Sequence, residues 1–488
     1  MSNTRLCQTT LAALPAGIAA PAYDRAGVTP GIVHLGVGAF HRAHQAVFVD
    51  DCLNRGEAGW GIVAASLRNA DTRDALAPQD NLYTYCERDG RDERLRVVGS
   101  ILETLVAPES PARLIERLCD PRVRIVTLTV TEKGYLANLS ERRLMRDHPD
   151  LVHDLENPDA PRSIHGFLLA AIRRRRAEGA VPLTLLSCDN LPANGTVLRL
   201  LLTEFAHISD PDLADYIASA VSCPCAMVDR IVPATTGADR LAVAHGLGVA
   251  DAWPVVAEPY FRWVIEDRFP HGRPGLEASG VEFVDDVEPY EHMKLRMLNG
   301  AHTAIAAIGQ IAGLATVTDI YAEVRVRAFV DRYWREVAST LSPLVSGADY
   351  VAGLRTRFAN PALRHRAVQI ASDASQKVPQ RILAPLLELR RDNRAHGAVM
   401  MALALWIRSC AARNEAGEPI IIQDPAFNGW TAPDQEFLPS EAVIERFLGF
   451  DRVFSAPCRA EPGFAAALTA AYHTIRTKGV LTAIEMAG

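Results

Sequence analysis

The chain has 488 residues, 49% hydrophobic and 22% charged, which is ordinary globular composition with room for two or three domains. The formal net charge is -7 and no basic tail is present, which argues against a nucleic-acid partner. No stretch approaches ~18 uncharged apolar residues, and the N-terminal segment lacks the apolar core of a signal peptide, so no membrane span is expected and the chain reads as cytoplasmic.

In chain order, the first element is the apolar run 31–35 (GIVHL), a buried strand. It leads into Gly36-Val37-Gly38, and a helix is expected at 43–54, stopped by Arg55-Gly56. Strand, glycine pair and helix form the context of a dinucleotide fold. Gly36 permits the tight turn, Gly38 lets a pyrophosphate approach the backbone, and the helix start offers N–H donors. The third glycine of that fingerprint is absent, because His41 stands there. His34, His41 and His44 read as packing residues of the loop, since no carboxylate or thiolate set accompanies them as metal ligands. A second run, 61–67 (GIVAASL), is followed by Asp71, which is placed to accept from an adenosine ribose and so favours NAD. Arg68 beside it suits a 2′-phosphate instead, which keeps NADP open.

A helix at 111–118 precedes a third run, 123–130 (VRIVTLTV), which ends in Thr131-Glu132-Lys133-Gly134-Tyr135. A helix at 164–178 carries four arginines, 173–176, read as a solvated helix end whose cations complement the dipole. The fourth run, 181–186 (VPLTLL), ends in Ser187-Cys188-Asp189-Asn190. Near-continuous apolar runs alternating with helices argue for a parallel, doubly wound α/β sheet, and such sheets bind ligands beyond the carboxyl ends of their strands. Cys223 and Cys225 form a CPC with no second pair at metal-finger spacing, so the nine cysteines read as reduced thiols and no metal site is expected.

Beyond a loop at 270–275 (PHGRPG) the pattern turns helical, at 293–309, 319–339, 361–372, 395–412, 440–448 and 462–476, with one strand-like run at 419–422. The expected organisation is α/β, with an NAD-binding Rossmann-type domain at 1–288 and a mainly α-helical catalytic domain at 289–488. Within EHMKLRMLNGAH, residues 291–302, Lys294, Asn299 and His302 fall on one helix. At about 100° per residue, Asn299 lies roughly 140° and His302 roughly 80° from Lys294, so all three fit one side. A base, an amide and an imidazole suit proton transfer at a sugar hydroxyl.

Together, GVGAFHRAHQA, TVTEKGY, SCDNLPANG, AMVDRIVP and MKLRMLNGAH resemble the polyol-specific long-chain dehydrogenase family, which includes mannitol 2-dehydrogenase and fructuronate reductase (D-mannonate oxidoreductase). The resemblance runs along nearly the whole chain, in order. It implies a metal-independent, nicotinamide-dependent enzyme that interconverts a secondary alcohol and a ketone on an open-chain sugar derivative. It also implies a Rossmann-type N-terminal domain, a helical C-terminal domain and a site between them. It makes Lys294 the general acid/base, Asn190 and Asn299 the amides that polarise the substrate oxygen, His302 a contact of that oxygen, and Glu291 an acid linked to proton exchange with solvent. Burial of such a lysine would favour its neutral form near neutral pH. The cofactor set it implies is Gly36, Gly38, Phe40, Arg42, Asp71, Glu132 and Asp229. Ala70 replaces a second acid before Asp71, which weakens the exclusion of NADP.

The segment 360–383 (NPALRHRAVQIASDASQKVPQRIL) resembles fructuronate reductases more than mannitol 2-dehydrogenases, which tend to carry arginine where this chain has Gln369. An aldonate or uronate brings a carboxylate that arginine binds bidentately. Arg381 and Lys377 therefore lead as substrate residues, with Gln369 beside them and Arg364 and Arg366 behind. The expected reaction is between D-mannonate and D-fructuronate, with mannitol, sorbitol or arabinitol as alternative substrates, in a monomer or small homo-oligomer.

Overall fold

The computed structural model describes residues 4–90, 92–139, 141–361, 365–424, 427 and 437–487. The chain divides into two compact units, Met1–Glu288 and Pro289–Gly488.

In the first unit the apolar runs become β1 (Pro30–Leu35), β2 (Gly61–Ser66), β4 (Ile125–Leu128) and β5 (Thr184–Ser187), joined by β3 (Ile101–Val106). All pair in parallel, in the order β3-β2-β1-β4-β5. This is a doubly wound order, and it reverses between β1 and β4. The glycine segment leads into two short helices, α1 (Ala39–Ala43) and α2 (Gln45–Asn54), split at His44 where a single helix was expected. They are followed by α3 (Asp71–Leu76), α4 (Pro111–Cys119) and α5 (Ile164–Ala177).

Successive side chains leave opposite faces of a strand. Val33, Leu35, Val63, Val126 and Leu128 enter one core with Leu114 and Leu118 of α4 and Phe167 and Leu168 of α5. Ile32, Ile62, Ala64, Ile125 and Leu186 enter another with Phe48 and Cys52 of α2 and with Trp263. Burial on both faces is why these runs are apolar throughout rather than alternating.

The α/β class with a mainly helical second half is the fold found. The sequence reading missed β3, whose ILETLV is interrupted by Glu103 and Thr104. It also missed two three-stranded sheets, one of Ala226–Asp229, Arg262–Glu266 and Glu282–Val284, the other of Val255–Ala257, Tyr83–Asp89 and Asp92–Val98. The arginine run needs correcting too. Arg175 is 2% exposed rather than solvated. Its guanidinium donates to the carbonyls of Leu118, Asp120, Val123 and Val181, tying the end of α5 to the strand entrances. Buried N–H and C=O groups need such partners, and one cation here satisfies four carbonyls.

Among the described residues the second unit contains no named strand. The run 419–422 makes only an isolated bridge, from Pro419 to Arg413, and leaves Ile421 63% exposed. Proline lacks the N–H that a ladder needs. The helix expected at 319–339 is two, Val317–Tyr321 and α8 (Val324–Ala338), with Glu323 capping the second. Of the one expected at 361–372, residues 362–364 lie outside the described residues, and Ala367–Ala371 is helical.

A continuous helical rod opens this unit. It comprises α6 (Glu288–Met293), a π-helical turn at Lys294–Asn299, and α7 (Gly300–Ala312). α7 is buried from Gly300 to Gly309 and ends on Gly313 in the left-handed conformation. A second π turn, Pro379–Leu383, leads into α9 (Ala384–Arg391).

Candidate active site

In the first unit the polar segments cluster where the strand order reverses. Gly36 has φ +97°, and a Cβ there would overlap the Thr129 carbonyl at the end of β4. Only glycine fits so tight a crossing. The Gly36 carbonyl accepts from the Thr129 hydroxyl at 2.8 Å and from His34 Nε2 at 3.1 Å. A carbonyl only accepts, so Nε2 carries the imidazole proton and Nδ1 accepts from Thr127 at 2.8 Å. His41, at the position of the missing third glycine, stacks on His34 with 3.4 Å between ring centroids. Burial pushes His34 down to about 3 and His41 well below its ordinary value, so both rings are neutral at pH 7.

Gly38 is exposed, and a Cβ on it would meet nothing closer than the Gly36 carbonyl at 3.8 Å. That open side leaves room for a phosphate against the backbone, so the loop fits a dinucleotide. The carbonyls that end α1 are held from below: Tyr83 donates to Arg42 at 2.6 Å, and Arg230 donates to Ala43 at 2.8 Å. Phe40 stacks on His44 at 5.0 Å. Arg42 is 4% exposed, and its guanidinium donates to the Trp253 carbonyl and lies 5.4 Å over Tyr83. This geometry gives Arg42 a role within the core rather than on the open side of the loop. Asp71 is exposed in the first turn of α3, with exposed Arg68 three residues before it.

Beyond β4, Thr131 has φ +63°, a strained conformation for a β-branched residue, and Glu132 beside it is exposed. Buried Asp189, beyond β5, holds that turn. Its carboxylate accepts from Thr131 N at 2.8 Å, Val130 N at 3.2 Å and the Tyr135 hydroxyl at 2.9 Å. Burial is the largest influence on Asp189 and lifts it to about 6. Asn190 is exposed next to it. Asn194 closes the loop from inside, donating to the Asp189 and Ala226 carbonyls at 3.1 and 2.7 Å. Asp229 is 3% exposed at the end of its strand. Cys223 and Cys225 are buried, and no three His, Cys, Asp or Glu side chains converge as a metal site among the described residues.

In the second unit Glu291, Lys294, Asn299 and His302 are 9, 9, 8 and 7% exposed. The π turn corrects the wheel drawn for an α-helix. With i→i+5 closure, Asn299 comes one turn beyond Lys294, and the angle between them closes well below 140°. The Asn299 Nδ2 is buried without a hydrogen-bond partner among the described residues. The Asn299 backbone carbonyl accepts from the Thr303 hydroxyl at 2.9 Å, and Arg381 donates to that hydroxyl at 3.4 Å. The His302 ring stacks on Phe358 at 4.6 Å and meets His365 edge-on at 5.5 Å. Burial keeps His365 below its usual range.

The two π turns pack together, which brings Arg381 against Thr303, one helical turn beyond Asn299. Lys377, one turn before Arg381, donates to the Ser372 carbonyl. Gln369 and Arg366 are exposed on and before a short helix, and Arg364 lies outside the described residues. The sequence reading missed the parts played by Asp189, Asn194 and Arg230. The first two stood in plain view beside Asn190 but looked like ordinary turn formers.

The mannitol dehydrogenase Rossmann domain matches residues 30–278, and the mannitol dehydrogenase C-terminal domain matches residues 286–476. The chain is 38% identical to a mannitol 2-dehydrogenase of Pyrenophora tritici-repentis, over 96% of this chain and 83% of that protein. It is also 38% identical to D-mannonate oxidoreductase of Escherichia coli, over 95% of this chain and 96% of that one. Among solved structures, the Pseudomonas fluorescens mannitol 2-dehydrogenase ternary complex with NAD and D-mannitol matches with a TM-score of 0.87 at 38% identity, covering 99% of each chain. A substrate-free D-sorbitol dehydrogenase matches with a TM-score of 0.86 at 31% identity, covering 98% of this chain and 100% of that one. The chain belongs to the mannitol dehydrogenase family, as an oxidoreductase of secondary alcohols built from that family's Rossmann and C-terminal domains.

Proposed function

We propose that this enzyme interconverts D-mannonate and D-fructuronate, with NAD as hydride carrier and Lys294 as general acid/base. The observation that carries the proton chemistry is the π turn. It buries a lysine at one end and, at the other, an asparagine amide with no hydrogen-bond partner among the described residues. A buried donor left unsatisfied costs about 1–3 kcal/mol, so its retention points to an acceptor that arrives with the substrate.

Gly36, Gly38 and Asp71 are the residues that would hold the dinucleotide. When bound, it supplies the hydride acceptor for the alcohol and the hydride donor for the ketone. In oxidation, neutral Lys294 takes the hydroxyl proton, and in reduction its ammonium returns a proton to the carbonyl oxygen. Negative charge builds on that oxygen as its proton leaves in oxidation, and as hydride reaches the carbonyl carbon in reduction, and the Asn299 N–H stabilises it without having to reorganise. Asn190 takes the same task in this reading, His302 contacts the oxygen, and Glu291 exchanges the lysine proton with solvent.

The acid half of the substrate rests on Arg381, whose guanidinium stands one hydroxyl away from the Asn299 backbone carbonyl. A planar guanidinium is suited to a carboxylate. Lys377 donates to the Ser372 carbonyl, whereas Arg381 donates to Thr303 on the helix that carries His302, which makes Arg381 the stronger candidate. A second reading, a polyol such as mannitol, is favoured by the mannitol complex of the 38% identical relative.

Absorbance of NADH and NADPH with a panel of aldonates, ketouronates and polyols, with and without EDTA, separates these readings. NAD-linked turnover of mannonate, insensitive to EDTA, is expected. Turnover of mannitol but not mannonate would move the substrate to the second reading. Arg381→Gln should raise KM for mannonate about tenfold or more, the scale of one lost hydrogen bond to a charged group, while leaving KM for NAD unchanged.

A further inference from the structure

Two π turns in one helical unit are uncommon, and a single side chain bridges their backbones. Tyr333, on α8, is completely buried. Its hydroxyl lies 3.0 Å from the Arg296 carbonyl oxygen in the first π turn and 3.3 Å from the Arg381 carbonyl oxygen in the second. One proton is shared between two acceptors, in a three-centre bond. Burial raises the hydroxyl well above its ordinary value, so it stays a donor throughout the physiological range. The neighbouring Trp334 donates its indole N–H to the Met297 carbonyl at 2.9 Å. Two consecutive carbonyls of the first turn are therefore held by consecutive side chains of α8. The contacts continue past the backbone. Arg296 makes a bidentate pair with Glu388 of α9 at 2.7 and 2.7 Å and also donates to the Thr340 carbonyl at 2.9 Å.

Gly300 records how close this packing is. A Cβ there would overlap the Tyr333 hydroxyl oxygen and lie 2.9 Å from the Arg381 carbonyl. Gly300 sits in ordinary right-handed helical geometry, φ −65° and ψ −49°, so no backbone strain demands glycine. Only the space taken by the hydroxyl and the second turn does.

We propose that Tyr333 is a positioning residue that fixes the spacing between the Lys294–Asn299 turn and the Arg381 turn, so that proton transfer and substrate recognition are held in one register. The proposal rests on the functional reading above for the roles of Lys294 and Arg381. It does not depend on that reading for the coupling of the two turns. Displacements of ~1 Å in a catalytic constellation cost about a hundredfold in rate, which sets the scale of the effect expected when the two turns are no longer tied.

The test is Tyr333→Phe in the full-length chain, which removes one oxygen and keeps the ring. It is read by kinetics and by hydrogen exchange. The expected kinetic result is a fall in kcat of about ten- to a hundredfold, with KM for NAD within about twofold of the parent. Amide exchange is expected to rise together in the segments 294–300 and 379–383. Gly300→Ala should abolish most activity alone and cost much less in the Tyr333→Phe background, since the two changes act on one contact. Unchanged kcat, or a lowered melting temperature with kcat unchanged, overturns the positioning role. Exchange that rises in one segment only overturns the coupling. A parent enzyme that turns over no aldonate or polyol would sink the functional reading, and the exchange experiment would still decide the coupling.

Discussion

The two units hold polar chemistry in opposite ways. In the first, Gly38, Asp71, Glu132 and Asn190 stand exposed in the loops and first helical turns beyond the strand ends. Those loops are fixed from beneath by buried His34, Asp189, Asn194 and Arg230. In the second, Glu291, Lys294, Asn299 and His302 are buried inside a continuous helical rod, and a change of helical period turns them rather than a loop. An extended dinucleotide is met by many backbone contacts, which exposed loops supply. Proton transfer needs few groups in a dry place, where electrostatic interactions strengthen. Substitutions in the rod should therefore strike the chemical step, and substitutions in or under the loops should strike binding and stability.

The largest expected effect is at Lys294. Lys294→Ala should lower kcat by about 10²–10⁴ while NADH binding, followed by fluorescence, stays near that of the parent. Retained turnover would remove the rod from the chemistry altogether. Asn299→Ala comes next, with a fall of about 10²–10³ in kcat. It carries an unusual second expectation. Because the Nδ2 has no partner among the described residues, its removal should leave the melting temperature unchanged or raise it, unlike most buried polar truncations. A clear drop in melting temperature would mean that the amide serves the fold.

Under the loops, Asp189 is the point to press. Its carboxyl is lifted to about 6, above the ~3.9 of an exposed aspartate, so the native state binds the proton more tightly than the unfolded chain. Glu132 adds to the lift, while the Thr131 and Val130 amides and the Tyr135 hydroxyl oppose it. The stability linked to this proton is fully present below about pH 4 and is lost as pH rises through about 6, roughly 3 kcal/mol in all. Asp189→Asn does not titrate. Melting temperatures of the two proteins across pH 4–7 should therefore diverge in the variant's favour as pH rises. A constant gap would show an ordinary carboxylate.

Legibility divides along the same line. The parallel sheet was readable because burial on both faces leaves uninterrupted apolar runs, and the Gly36–Gly38 turn because its conformation admits few residues. The segment Tyr83–Val98 was not, because its charged middle resembles a solvated loop although it forms a hairpin. Lys294, Asn299 and His302 could be picked out as a set, but their angular relation could not. A π turn has no local composition of its own, and this one coincides with carbonyl contacts from Tyr333 and Trp334, about forty residues away. The same reason hid Arg175: four arginines in a row look alike, and only the surrounding carbonyls pick out the buried one.

The smallest expected effect sharpens the comparison from the exposed side. Asp71 opens α3, where a carboxylate also complements the helix dipole, so its presence alone does not establish a ribose contact. Its surroundings make the question answerable. Arg73 is neutralised by Asp74 and Glu109, whereas Arg68 makes no ion pair among the described residues. Removing the Asp71 charge would leave Arg68 as the nearby cation able to meet a 2′-phosphate. Asp71→Ser should therefore raise kcat/KM for NADP about tenfold, lower that for NAD by a similar factor, and leave kcat with saturating NAD nearly unchanged. A pure helix-capping role predicts something else: a small loss of stability, with the NAD to NADP ratio unmoved. An exposed residue beyond a strand end that changes which cofactor is bound but not how fast the bound one reacts is what the division between the two units requires.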